Sequence, residues 1–297
     1  MKSDYNNSHH ESLAKQTKKI LQKYGIRLNR NLGQNYLIDD FKRKKIIEFA
    51  KLSKNDIVLE IGPGIGTLTT ELAKKTKKVV AIEQDKKIYD ILKQRIEDES
   101  IENIELINED AVKTDISNFV KCNKIVSNLP YQISSPITFK FLEFDFDLAI
   151  LMYQKEFAER MIAKTGDKNY SRLSAMLYFK GDIEFLDNVS PESFIPRPKV
   201  DSSVIKLTPK NIDKNLLIED NAESYSKTCK AIFQHKNKKV RNALIDSRHI
   251  LGYKDKKELR NLIDSNFSLE PFLTNRVINT SPEEILELAI LLKPIIK

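Results

Sequence analysis

Apolar and polar positions alternate with two different periods along the middle of the chain. Short runs rich in Val, Ile and Leu predict β-strands at 56–61, 78–83, 103–108, 124–129 and 147–153. Between them lie amphipathic stretches of roughly ten to fifteen residues that predict helices. This alternation is typical of βαβ units. We therefore predict an α/β fold with an open, mostly parallel sheet covered by helices on both faces.

The N-terminal segment has a different pattern. Residues 1–12 are polar and predict a disordered tail, and a short helical pattern then ends near Gly25. Asp39 or Asp40 can cap a helix that runs to about Leu52. We expect these elements to precede the first strand of the sheet.

Beyond the parallel strands, helical patterns occupy 154–163 and 171–180. Two strand-like runs, 182–189 and 202–207, then flank a proline-rich segment and have no helical connector between them. Such a pair is expected to be antiparallel and to lie at the edge of the sheet.

The periodicity becomes helical throughout after a linker near residues 208–215. The sequence therefore predicts three regions. They are an N-terminal tail with a short helix over 1–25, an α/β domain over 26–212 and a small all-helical domain over 213–297.

The composition favours a polyanionic partner without proving one. The 50 Lys and Arg residues exceed the 42 Asp and Glu residues by eight, and the pI is near 9.1. A lysine-rich surface without such a partner is the open alternative.

The sequence also argues against a membrane protein and against a metal site. The longest apolar run, Leu148–Tyr153, is far shorter than the roughly 20 residues that a transmembrane helix needs. The polar N-terminus lacks the apolar region of a secretory signal, so we expect a cytoplasmic protein with reduced thiols at Cys122 and Cys229. The histidines show no metal-ligand spacing, and we expect no metal.

A glycine-rich turn follows the first strand of the predicted sheet. Its sequence, from residue 62, is GPGIGT. At the carboxyl edge of a parallel sheet, a strand, glycine turn and helix form a ligand crevice, with Gly62 and Gly64 allowing close approach. A dinucleotide fingerprint would need glycine at position 67, which is threonine. The GxGxG pattern favours S-adenosylmethionine, and a dinucleotide is the alternative.

Acidic residues end the next two strands. Glu83, 21 residues after Gly62, can accept both ribose hydroxyls of a nucleoside, although a solvated strand end is the alternative. Asp110 can accept a hydrogen bond from an adenine amine, or it can simply cap a turn.

The tetrapeptide Asn128-Leu129-Pro130-Tyr131 ends the fourth strand. An exocyclic base amine is a poor nucleophile, because its lone pair is delocalised into the ring. The Asn128 oxygen and a backbone carbonyl held by the Leu-Pro geometry can accept its two hydrogens, and Tyr131 can stack on an extruded ring. This predicts direct methyl transfer to an amine nitrogen, whereas a strand-ending turn with proline is the alternative. A cytosine-C5 mechanism would need a thiol in the crevice, but Cys122 precedes the strand.

Four segments read in order, LGQNYL, EIGPGIGTLT, SNLPYQISSP and FIPRPKVDSSV, resemble the KsgA family of ribosomal RNA adenine N6-dimethyltransferases. The resemblance spans roughly residues 30–245. It implies a Rossmann-like class I methyltransferase sheet with a small C-terminal helical domain. It implies that Tyr131 and Phe194 flank the target adenine as part of the catalytic group. It also implies an S-adenosylmethionine site formed by Asn35, Leu37, Gly62, Gly64, Glu83, Asp110 and Asn128.

The same resemblance implies the substrate. It consists of two neighbouring adenosines in a hairpin near the 3′ end of 16S rRNA, each methylated twice in a late, immature 30S particle. Related enzymes that modify one adenosine of large-subunit rRNA share the fold. Leu129 together with PRPKVDS looks like the small-subunit branch. We expect a monomer. The family usually has Phe where this chain has Tyr36.

Basic residues form clusters that we expect to hold RNA phosphates, and the largest lies in the helical region. The clusters are Arg27 with Arg30, Lys42–Lys45, Arg197 with Lys199, and Lys236, Lys238, Lys239 and Arg241. The last resembles a family segment richer in arginine, and for each cluster a solvated surface is the alternative. Two other functions are open, namely methylation of a protein glutamine amide and a role mainly as an RNA-binding assembly checkpoint.

Overall fold

A computed structural model describes residues 11–26, 35–115, 121–210 and 220–297. Most of the predicted tail, the pair Arg27 and Arg30, and most of the predicted linker lie outside these residues. By its internal contacts the chain divides into two units. The first comprises Met1–Lys155 and Phe185–Thr208, and the second comprises Glu156–Glu184 and Pro209–Lys297.

The described strands belong to two sheets. They are β1 Tyr36–Leu37, β2 Ile57–Ile61, β3 Lys78–Ile82, β4 Ile104–Ile107, β5 Lys124–Asn128, β6 Leu148–Gln154, β7 Gly181–Val189, β8 Phe194–Ile195 and β9 Ser202–Pro209. The larger sheet has the order β4-β3-β2-β5-β6-β9-β7, and β1 pairs with β8 in a separate antiparallel ribbon.

The pairing within the larger sheet changes direction once. Strands β2 to β6 pair in parallel, and β9 runs antiparallel to β6, with Ser202 opposite Gln154. The predicted mostly parallel α/β sheet with an antiparallel edge is confirmed. The five predicted parallel strands lie within one residue of their observed ends.

The helices account for the intervening segments. They are α1 Leu13–Lys23, α2 Asp40–Phe49, α3 Thr69–Lys75, α4 Lys86–Asp98, α5 Ser134–Phe141, α6 Lys155–Ile162, α7 Arg172–Tyr178, α8 Ala222–Ile232, α9 Val240–Asp246, α10 Lys256–Asp264, α11 Glu270–Leu273 and α12 Pro282–Leu292. Asp39 caps α2 by accepting a hydrogen bond from the Lys42 amide, as its position in the sequence predicts. None of the described helices combines the length and apolar character needed to cross a membrane.

The core of the first unit lies around the central strands. Val58, Val79, Val126 and Ile150 are completely buried, because central parallel strands are covered on both faces. This buried core fixes the positions of the strand ends, where the glycine turn and the acidic residues follow.

The second unit has its own apolar core, formed mainly by α8, α9 and α12. The Tyr225 hydroxyl of α8 donates a hydrogen bond to the Ala175 carbonyl of α7 at 2.9 Å. Residues 156–184, which the sequence prediction assigns to the α/β domain, therefore group with the helical unit. An amphipathic pattern shows which face of a helix is apolar but not which core covers it.

Candidate active site

A cavity of about 430 Å³ opens at the carboxyl ends of the central strands in the first unit. The predicted residues that line it are Asn35, Leu37, Gly62, Gly64, Glu83, Asp110, Asn128, Leu129, Pro130 and Tyr131. Segments far apart in sequence thus meet at one sheet edge, because the ends of parallel strands lie side by side.

Two glycines of the turn permit close packing at the cavity. Gly62 and Gly64 have φ angles of +67° and +57°, in the left-handed region. A Cβ at Gly62 would lie 2.9 Å from Pro130 Cγ, and one at Gly64 would lie 2.8 Å from Tyr36 Cε1. The glycine turn therefore packs directly against the tetrapeptide that contains Asn128.

Contacts behind the glycine turn also hold it in place. Arg95 of α4 donates from Nη1 to the Ile65 carbonyl at 2.7 Å. The Ile65 side chain is buried with Tyr36 and with Leu21 of α1. The sequence prediction missed Arg95, since a basic residue on an amphipathic helix carries no sign of its partner. It also gave the N-terminal helix no role, whereas that helix packs behind the turn.

Glu83 lies at the end of β3 with both carboxylate oxygens engaged by backbone amides. Gly64 N donates to Oε2 at 3.2 Å, and Asp85 N donates to Oε1 at 2.9 Å. Burial raises the pKa of the Glu83 carboxyl, and the two amides oppose this shift. Each oxygen has a second lone pair, so the carboxylate can still accept hydroxyl groups from a ligand.

Asp110 shows both features that the sequence predicts for it. It lines the cavity, and its Oδ1 accepts a hydrogen bond from Val112 N at 3.0 Å, as a turn aspartate does. Lys113 Nζ lies 3.5 Å from Oδ2. The turn fixes the carboxylate beside the cavity, so the two interpretations are compatible.

Glu60 is a cavity residue that the sequence prediction missed. Its side chain is 1% exposed, and Oε2 has no hydrogen-bond partner among the described residues. Burial raises the pKa of Glu60 to about 8, and the nearby charge of Glu83 adds to the shift. The signal was a single acid within the otherwise apolar run of β2.

Asn128 is held by its amide nitrogen. Nδ2 donates a hydrogen bond to the Asn35 carbonyl at 3.1 Å, and no described residue donates to Oδ1. Pro130 follows with a φ angle of −59°, so the backbone between them is restricted. The arrangement leaves a carboxamide oxygen as an acceptor at the cavity.

Tyr131 also lines the cavity, at the start of a 3₁₀ turn over Tyr131–Ile133. A hydrogen bond joins its hydroxyl to Ser202 Oγ, 2.7 Å away. Burial raises the pKa of Tyr131, so the hydroxyl stays neutral. Its ring can therefore offer an uncharged aromatic face to a ligand.

Phe194 lies differently from the expected base-stacking position. Its side chain is 2% exposed in the apolar core of the first unit, and it pairs with Leu37 in the β1–β8 ribbon. The residues found to line the cavity do not include it. In this conformation a planar ligand has no free face of Phe194 to stack on, because the core covers the ring.

The comparisons with known proteins show the family of the chain. The family model for ribosomal RNA adenine dimethylase matches residues 25–263. The chain belongs to the ribosomal RNA adenine dimethylase family. A probable ribosomal RNA small subunit methyltransferase A from Methanosphaera stadtmanae is 52% identical, over 93% of this chain and 98% of that protein. A relative of the same description from Thermococcus onnurineus is 47% identical, over 92% and 96%.

Solved structures extend the likeness to the fold of this family. A dimethyladenosine transferase from Plasmodium falciparum matches with a TM-score of 0.71 and 32% identity, over 87% of this chain and 97% of that one. The 23S rRNA methyltransferase ErmE matches with a TM-score of 0.61 and 28% identity, over 87% and 100%. Because the family model and the curated relatives are described as acting on ribosomal RNA, we set aside the protein-glutamine alternative.

Within this family member, the basic cluster of the helical unit is partly neutralised. Lys238 Nζ lies 2.8 Å from Asp246, and Arg241 pairs with Asp264 through two bonds of 2.6 and 2.5 Å. Neither acidic partner was predicted: Asp246 ends α9, and Asp264 comes from α10. No group of three or more potential metal ligands occurs in the part of the chain that is described.

The other two lysines of that cluster have no acidic partner among the described residues. Lys236 Nζ donates to the Lys168 carbonyl at 2.7 Å, which leaves its charge uncompensated. Lys239 is the exposed N-cap residue of α9. These two are therefore the members of the cluster most available to a phosphate.

Proposed function

We propose that the protein uses S-adenosylmethionine to methylate the N6 amines of two adjacent adenosines near the 3′ end of 16S rRNA, twice each. The observation that carries this proposal is the Asn128 carboxamide, whose donor end is occupied by Asn35 and whose acceptor end remains open at the cavity. Family membership supports the reaction class. The description of the relatives supports a small-subunit substrate. The hairpin and the late, immature 30S particle are implied by the resemblance to the KsgA family and belong to the proposal.

The residues of the cavity fit S-adenosylmethionine. Its polar groups need acceptors in a confined site, and Glu83, Asp110 and Glu60 Oε2 supply them. Gly62 and Gly64 let the loop pack closely on Pro130 and Tyr36, which line the same cavity. When bound, the cofactor supplies an electrophilic methyl group on its sulfonium centre.

The chain itself contributes positioning rather than a covalent intermediate. Asn128 Oδ1 and the Leu129 carbonyl would accept the two hydrogens of an exocyclic amine. Accepting them favours a pyramidal nitrogen whose lone pair is available for attack. Tyr131 stacks on the extruded adenine, and the fixed orientation of amine and methyl group lowers the barrier.

The basic cluster of the helical unit would bind rRNA phosphates, with Lys236 and Lys239 contributing most and Lys238 and Arg241 less. Phosphate contacts fix register and orientation but read no sequence. We expect the protein to act as a monomer in the cytoplasm, where ribosomal subunits assemble.

The direct test is methylation of 30S particles from a strain that lacks this protein. Purified protein with isotopically labelled S-adenosylmethionine should produce N6,N6-dimethyladenosine at two adjacent positions near the 3′ end of 16S rRNA, as read by mass spectrometry. The Asn128→Ala variant should lose the product, whereas Asn261→Ala, at an exposed position of α10, should not. Absence of dimethyladenosine with wild-type protein would overturn the proposal.

A further inference from the structure

Tyr131 is held at its backbone carbonyl and at its side-chain hydroxyl. Its carbonyl accepts a hydrogen bond from Ser134 Oγ at 2.9 Å, and Pro130 before it packs on Gly62. Its hydroxyl lies 2.7 Å from Ser202 Oγ. The position of the ring is therefore set from two directions.

Ser202 is itself firmly placed. It is the first residue of β9 and is opposite Gln154 of β6 in the antiparallel register. It is completely buried. A buried hydroxyl at the start of a paired strand has little freedom to follow a moving partner, so Ser202 acts as a fixed point for the Tyr131 side chain.

In the proline-rich segment, Arg197 and Lys199 are predicted from the sequence to hold RNA phosphates. Ser202 was included only in the family likeness PRPKVDS, and its hydroxyl was assigned no role. The tyrosine hydroxyl lies on the long axis of the ring. A bond to it fixes the tilt of that axis while allowing rotation about it. A stacked base takes its orientation from that tilt.

We propose that Ser202 is a positioning residue for methyl transfer, which aligns the Tyr131 ring with the target adenine. This inference rests on the proposed function. Ser202 does not touch the substrate and acts through Tyr131 alone. Without the Ser202 hydroxyl, the partly buried Tyr131 hydroxyl loses its partner, and the ring must tilt to regain one.

The test uses the full-length protein and the variants Ser202→Ala, Ser202→Thr, Tyr131→Phe and the double variant Ser202→Ala/Tyr131→Phe. Single-turnover methyl transfer to 30S particles gives the rate, and calorimetry gives the dissociation constant for S-adenosylmethionine. We expect Ser202→Ala and Tyr131→Phe each to slow methyl transfer by about tenfold with unchanged cofactor affinity. The double variant should be no slower than either single one, since both remove the same bond.

The neighbouring Ser203→Ala is the matched control. Ser203 is 1% exposed on the same strand, and its Oγ donates to Asn188 Oδ1 at 3.2 Å. The Ser203→Ala variant therefore loses a comparable hydrogen bond on the opposite face of β9. We expect a similar fall in thermal unfolding midpoint for Ser202→Ala and Ser203→Ala, but a normal rate for Ser203→Ala. Ser202→Thr keeps a hydroxyl and should restore most of the rate.

Three outcomes would overturn the inference. They are a wild-type rate for Ser202→Ala, rate losses that multiply in the double variant, and equal rate losses for Ser202→Ala and Ser203→Ala. Failure of the wild-type protein to methylate the particle at all would instead contradict the proposed function. The two failures are thus separated by the wild-type measurement.

Discussion

The carboxamide nitrogen of Asn128 donates a hydrogen bond to the backbone carbonyl of Asn35, 3.1 Å away and 93 residues earlier in the chain. An amide side chain has one donor end and one acceptor end. Because the donor end is held by Asn35, the acceptor end is directed elsewhere without any further contact. A residue before β1 therefore sets the orientation of the residue that ends β5.

Asn128→Asp tests this orientation while keeping the size of the side chain. A carboxylate oxygen facing the Asn35 carbonyl is repelled, so the side chain should turn away. We expect the rate of methyl transfer to fall by at least about 100-fold, the scale of losing one oriented polar group at a reacting centre. Single-turnover kinetics on 30S particles measures it. Asn261→Asp is the control, and a loss of less than tenfold would contradict the assigned role.

Glu83→Gln tests the predicted cofactor contact. The variant keeps one acceptor oxygen but loses the charge that strengthens hydrogen bonds from ligand hydroxyls. We expect the dissociation constant for S-adenosylmethionine to rise by about 10- to 100-fold, measured by calorimetry.

The matched control for Glu83 is Glu105→Gln. Glu105 is a half-exposed carboxylate of the neighbouring β4, where it pairs with Lys78 at 2.6 Å. Glu105 is not among the residues that line the cavity, so the Glu105→Gln variant should bind S-adenosylmethionine with the affinity of the wild type. Equal affinities for the two variants would show that Glu83 is not a cofactor residue.

The order of helices and strands was predictable, because the local periodicity of apolar residues indicates each of them. The strand runs, the Asp39 cap and the residues at strand ends follow from residue types a few positions apart. The convergence of Glu83, Asp110 and Asn128 on one cavity then follows from the geometry of a parallel sheet.

What escaped prediction depends on contacts between distant segments. The burial of Glu60, the bond from Arg95 to Ile65 and the acidic partner of Arg241 arise only when separate elements pack. The same holds for Phe194, whose aromatic ring suits either a core or a stacking face. Its place in the core is decided by β1 and β8 pairing.

Glu60 should make the stability of the protein depend on pH. Its pKa is raised from 4.5 to about 8 in the folded protein. Between these two pH values the folded state holds a proton that the unfolded state releases. The contribution of protonated Glu60 to the free energy of unfolding is therefore full below pH 4.5 and is lost as the pH rises through 8. At pH 9, Glu60→Gln should be more stable than wild type by roughly 2–4 kcal/mol, with a small difference at pH 5.

Chemical denaturation at several pH values measures this dependence. The size-matched glutamine removes the titration but keeps the volume of the buried side chain. Glu105→Gln, at the half-exposed position on β4, serves as the control, and the pH dependence of its stability should follow that of the wild type. A Glu60→Gln variant whose stability fell in parallel with the wild type between pH 5 and 9 would show that Glu60 titrates normally.

Lys239 and Lys238 should differ in their contribution to RNA binding, although they are neighbours in sequence. Lys238 already faces Asp246, whereas Lys239 is exposed without an acidic partner among the described residues. For binding to 30S particles, the slope of log K against log[KCl] should therefore become shallower by about one unit in Lys239→Ala and by clearly less in Lys238→Ala. Affinity measured across a range of KCl concentrations gives the slopes. Lys93→Ala, an exposed lysine of α4, should leave the slope unchanged, and a larger loss for Lys238→Ala than for Lys239→Ala would contradict this assignment.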